Sequence, residues 1–282
     1  MKHMRDAVFG FFLSLLLLPV VAGCDDGADA DTAEDVVAEV AGDDVIGTLG
    51  VGDSDVGVGL ELEIPPDLSG EWILVQTYSA KSNIPFVGEA TQTTTAVLWV
   101  DLTQDDVDLN LTTDVCALAI TSDSSVVKTV IPDAFVNAIP ISFRHASLEK
   151  EDGEWRFIEP AFTEIWGATL DDVEKDILTK SGEDPAVTDL DEDGNPGVTV
   201  RITGLISGEI YVVQRRTTAL MGPVQPDGWV QGLNEWSIEQ VVLGSDNPTL
   251  EANQPDEYAN PDADASHFCL IPVPQGSDCE FV

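Results

Sequence analysis

The chain has 282 residues, with 52 Asp and Glu against 12 Lys and Arg, for a formal net charge of -40. That charge excludes nucleic-acid binding, which depends on Lys and Arg displacing counterions from phosphates, and it disfavours adsorption to a bare anionic lipid surface. A hydrophobic content of 43% with six Trp and ten Phe excludes a wholly disordered chain and suffices for one large domain or two small ones.

At the start, Lys2 and Arg5 precede an apolar run over residues 7–22 that closes on Val21-Ala22-Gly23-Cys24, the layout of an export signal. The run falls short of the roughly 20 residues a membrane-spanning helix needs, and Pro19 interrupts its end. Val21-Ala22-Gly23-Cys24 resembles the lipobox of bacterial lipoproteins. The resemblance implies that residues 1–23 are cleaved as a signal peptide and that Cys24 carries a diacylglycerol thioether and an acylated amino terminus. Lipid on Cys24 would tether the mature chain to a membrane of the cell envelope without spanning it. Asp25 and Asp26 after the cysteine leave two addresses open, the outer membrane or cell surface, which is favoured, and the periplasmic face of the inner membrane.

Residues 25–67 hold 14 acids, no Lys or Arg and no aromatic residue. Such a stretch cannot bury enough surface to offset its ordering entropy, and its like charges extend it, so 24–67 reads as a lipid-anchored, disordered acidic linker. Aromatics begin at Trp72, and the boundary falls near Pro65-Pro66, leaving a single β-rich globular domain over 68–282.

The clearest strand is 107–112, where Val107, Leu109 and Leu111 alternate with polar residues. Before it, 93–102 is β-branched and aromatic, and residues 103–106 read as a hairpin turn. Further strands are expected at 71–78, 115–120, 126–131, 139–143, 154–158, 163–166, 198–205, 209–220 and 229–243, with a last segment at 267–273. Leu170, Val173, Ile177 and Leu178 fall at helical spacing, which predicts one short helix over about 170–180. The whole reads as an all-β antiparallel barrel or sandwich with that one helix.

Gly70-Glu71-Trp72 is similar to the Gly-x-Trp that opens lipocalin-type barrels. The resemblance implies that an Arg from a late strand, Arg215 or Arg216, stacks on Trp72. Asp189, Asp191 and Asp193, followed by Gly194 and Asn195, resemble the opening of an EF-hand-type calcium loop. Carboxylates at alternate positions converge where the chain coils, and the Asn195 carbonyl would add a ligand. Position 12 is Val200, so Glu183, Asp184, Asp171 or water would have to complete the calcium shell.

No serine-hydrolase, zinc-protease, phosphate-loop or dinucleotide motif occurs. Most Trp residues lie in expected strands and read as core, with an aromatic ligand-binding face as the alternative. Among Cys116, Cys269 and Cys279 one disulfide is expected in an oxidising compartment. The local pair Cys269 with Cys279 is favoured over either pairing of Cys116, which would constrain far more chain. Together these features suggest a lipid-anchored envelope protein whose β domain binds an envelope protein, glycan or small ligand, or has a structural role, stabilised by calcium. The alternative is a hydrolase of extracytoplasmic polymers.

Overall fold

Alternation governs the fold from the first strand onward. In the computed structural model, which describes residues 64–84, 88–252 and 256–281, the inward positions Leu98, Val100 and Leu102 and the facing Leu109 and Leu111 are fully buried while their neighbours along the chain face out. The signal segment, Cys24 and residues 25–63 of the linker lie outside the described residues.

In chain order the strands are β1 Gly70–Ile84, β2 Gly88–Asp105, β3 Asp108–Ser122, β4 Val127–Val130, β5 Ser142–Glu151, β6 Glu154–Trp166, β7 Val198–Gly204, β8 Gly208–Pro223, β9 Val230–Ser245, β10 Asp256–Ala259 and β11 His267–Pro272. Two short helices interrupt them, α1 Asp133–Ala138 and α2 Pro248–Ala252. All the strand pairings are antiparallel. The order β8-β6-β5-β3-β2-β1-β11-β9 closes on itself because β9 returns to pair with β8. The fold is therefore an all-β antiparallel barrel, closed around its eight-strand ring, with β4 and β10 each paired on one side only.

The ring changes members along its axis. On β8, β6 pairs with residues 214–223, whereas β7 takes over at 208–212. On β1, β11 pairs with 72–77 and β10 with 80–83. β4 extends the upper end by pairing with β7. Gly167 and Gly197 meet where β6 departs and β7 arrives: both have positive φ, and a Cβ on Gly197 would sit 2.3 Å from the Val212 carbonyl oxygen.

Several expectations change in detail. The separate strands expected at 107–112 and 115–120 are one strand, β3, with a bulge that leaves Cys116 unpaired opposite the Val97/Leu98 step. The segments at 154–158 and 163–166 are likewise one strand, β6, bulged at Pro160-Ala161, where proline has no N–H for the ladder. The helix expected over about 170–180 does not form. Asp172 instead accepts backbone hydrogen bonds from Glu174 and Lys175 in a tight turn, and Leu178 is buried while Ile177 is 85% exposed, so the apolar residues do not share one packed face.

Among the described residues Cys116 is bonded to Cys279, in place of the local pair, because the bulge aims Cys116 out of the ladder toward the C-terminal turn, and no described cysteine is free. A link across 163 residues restricts the unfolded chain by about 5 kcal/mol in the loop-entropy model, against about 3 kcal/mol for a ten-residue loop. Cys269 is buried in β11 between β1 and β9.

Candidate functional site

The inward side chains form three layers along the barrel axis. At the lower end Trp72, Leu74, Leu98, Leu109, Phe157 and Phe268 belong to one close-packed cluster. The Trp72 indole N–H donates to the Leu68 carbonyl at 2.8 Å and pins the lead segment under the barrel. Neither Arg215 nor Arg216 stacks on Trp72, contrary to the lipocalin-like expectation: Arg216 meets β1 six residues further along, at Tyr78. Arg215 points outward, pairing with Glu239 at 2.8 Å and donating to the Asp176 carbonyl.

The middle layer is charged. Arg144 of β5, with no exposed side-chain surface, pairs with Glu159 and Glu164 of β6 at 3.4 Å each, and Arg216 of β8 shares Glu164 at 3.4 Å. Arg144 also stacks on Phe162 at 4.8 Å. Arg216 lies between two rings, 4.4 Å from the Trp166 centroid and 4.8 Å from that of Tyr78. Burial pushes the Glu159 carboxyl pKa up more than Arg144 lowers it. Burial also works to raise Glu164, but the two guanidinium groups outweigh it and hold that carboxyl below its ordinary value. Burial raises the Tyr78 hydroxyl pKa, and the hydroxyl donates to Gln76 at 2.7 Å.

Above this layer the barrel encloses a cavity of about 420 Å³, within the range of small-molecule sites. Arg216, Tyr78 and Trp166 line it together with Trp236, and Ile120, Ile202, Ile238 and Val242 contribute apolar wall. Leu118 and Ile120, further along the strand that buries Leu109 and Leu111 completely, are only half-buried here. Leu250 of α2 and Glu257 of β10 close part of the upper side. Arg216 is the only cation and Glu257 the only acid among the lining residues, and desolvation raises the Glu257 carboxyl pKa. Most Trp residues were expected in the core, yet Trp166 and Trp236 serve this wall as well.

The acidic loop lies outside the barrel, before β7. Carboxylate oxygens of Asp189, Asp191 and Asp193 lie within 4.8 Å of one another. Asp189 accepts backbone hydrogen bonds from Asp193 and Gly194, so the chain coils around it. One Asp191 oxygen accepts from the Thr199 N–H, and the other is buried without a partner among the described residues. Desolvation, then the charges of Asp193 and Asp189, push Asp191 up despite that bond. For Asp193 the desolvation is outweighed by hydrogen bonds from Thr199 and Asn195, which hold its pKa down. Asn195 therefore turns its side-chain amide to Asp193 at 3.1 Å. Three oxygens gathered this way fit a hard divalent cation. Asp171, Glu183 and Asp184 do not join the cluster, and Asp184 is engaged by Thr179 and the Ala186 N–H.

No known protein family, curated protein or solved structure matches this chain.

Sequence reading missed the charged layer, although the phase signal was present. Arg144 continues the inward phase of Ala146 and Leu148, as Glu159 continues that of Phe157 and Arg216 that of Leu220.

Proposed function

We propose that the protein is a lipid-anchored cell-envelope protein whose barrel holds a small, largely apolar ligand in the cavity at its upper end. The observation that carries the reading is the 420 Å³ space walled by isoleucines and tryptophans. A hydrolase would need acid and base groups converging on a substrate. The cavity offers Glu257 as its only carboxylate, and Glu159 and Glu164 are both bound to Arg144. Calcium at Asp189, Asp191 and Asp193 would stabilise the loop that leads into β7, with Cys24 carrying the lipid.

The test is uptake of the neutral apolar dye Nile red by the full-length chain in nanodiscs, with empty nanodiscs subtracted. Saturable binding is expected, quenching Trp166 and Trp236 emission, and Ile238→Trp should weaken it severalfold by intruding on the cavity. Unaltered dye binding in Ile238→Trp would refute the reading. The anchor is checked separately, by detergent partitioning of Cys24→Ser, which should leave the membrane fraction.

A further inference from the structure

The cavity has a chemically uneven floor. Arg216 is 93% buried in its side chain terms, lines the cavity, and is held between the Trp166 and Tyr78 rings. Its single hydrogen bond is a long one, 3.4 Å from Nη2 to Glu164, and its buried Nε donates to nothing among the described residues. A guanidinium is a fork of donors without an acceptor; Nε is sealed in, but Nη1 also makes no hydrogen bond among the described residues and is not sealed, so it is the donor left for an incoming anion. Arg144, by contrast, is engaged by Ser142, Glu159 and Glu164.

We infer that the ligand is a single-chain amphiphile whose carboxylate sits on Arg216 and whose apolar tail runs up the isoleucine wall; this rests on the cavity being the binding site. Three observations set the ligand's form. A cavity of about 420 Å³ is within the range of small-molecule sites and has room for a twelve-carbon carboxylate. Only one guanidinium faces the space, and Glu164 stands behind it, so a head with one negative charge is favoured over a dianion in this low-dielectric setting. Glu257 pairs through β10 with Ser82, four residues beyond Tyr78 along β1, or about 13 Å from the floor. An acid at the mouth and a cation at the floor orient an anionic head inward. The Trp166 and Tyr78 rings meanwhile keep the guanidinium in place when the cavity is empty of ligand or full.

The experiment is competition against Nile red on the full-length chain in nanodiscs, using dodecanoate, dodecan-1-ol and dodecylamine, which share one tail. Dodecanoate should displace the dye at least tenfold more effectively than the alcohol, with the amine weakest. Arg216→Met should remove the advantage of the acid and leave the alcohol unchanged. Should that variant fail to fold, the three-ligand order on the wild type still decides. If the alcohol competes as well as the acid while the dye binds, the head-group assignment is wrong and the cavity reading stands. If the dye itself shows no saturable binding, both fall.

Discussion

The two ends of the barrel are built largely from the same strands, yet one is solid and the other hollow. On β2 the inward residues run from Gln92 and Thr94 at the top to Leu98, Val100 and Leu102 below. On β3 they run from Leu118 and Ile120 to Leu109 and Leu111. Side-chain size alone does not account for the change, since leucine below and its isomer isoleucine above have the same volume. What differs is the ring: below, β5, β6 and β11 bring Ala146, Leu148, Phe157, Phe268 and Leu270 into the centre, whereas above, β4, β7 and β10 bring their side chains to the periphery of an open space. The buried charges of Arg144, Glu159, Glu164 and Arg216 mark the seam. A close-packed interior carries stability, and an unfilled one carries capacity for a ligand.

The seam should be the most sensitive place. Glu164→Gln leaves Arg144 with Glu159 as its one carboxylate and Arg216 with none in contact, and should cost about 3–5 kcal/mol in chemical denaturation. The pH dependence follows from the directions of the two pKa values. Because Glu164 is held below its ordinary 4.5, its contribution is present above pH 4.5 and lost as pH falls through the lower folded value. Glu159, raised above 4.5, contributes in the opposite sense: its stabilisation is present below 4.5 and fades as pH rises through the higher folded value. In Glu164→Gln the acid-side loss of stability should flatten, and an unchanged acid limb would show that the seam does not govern it.

Next in size is the contrast between the ends. Leu98→Ala, in the solid half, should cost about 3 kcal/mol, whereas Ile238→Ala, in the cavity wall, should cost about 1 kcal/mol because its neighbours already face open space. Equal losses in urea titrations would mean that the upper half is packed like the lower.

The smallest effect belongs to the acidic loop. Calcium should bind in the range of roughly 0.1–1 mM, lacking a bidentate Glu at Val200, and at ten times Kd should add about 1.4 kcal/mol, a rise of a few degrees in Tm. The comparison is calcium against magnesium in the wild type and in Asp191→Asn/Asp193→Asn. A calcium-specific shift no larger in the wild type than in the double variant would identify the loop as an acidic turn.

The fold was legible where alternation was unbroken, as at Leu109 and Leu111, whose phase alone assigns them to the interior. It became obscure wherever a bulge reset the phase. Pro160-Ala161 shifts the inward series from Phe157 and Glu159 to Phe162, Glu164 and Trp166, so Glu164 reads as one acid among many in a strongly acidic chain. The bulge at Cys116 has the same effect on cysteine pairing, since a regular strand would hold that side chain in the ladder's alternation. The segment at 170–180 failed for another reason: helical spacing is informative only where the whole stripe packs on one surface, and here Leu178 is buried while Val173 and Ile177 face out. Among site residues, the three aspartates were visible as a motif, while the cavity was not, because it is assembled from strands more than a hundred residues apart.

β11 lies between β1 and β9 and pairs Trp72 with Pro272, two hundred residues later in the chain. The barrel cannot close until its last strand is present, so most of the ring must wait as an open sheet or an unfolded chain. Pairing over such a separation carries a large loop-closure entropy and makes folding slow relative to proteins with local contacts. The order of synthesis thus sets the order of assembly: the strand made first is completed by the strand made last, and the ligand space above the seam comes into being only after the whole domain has emerged.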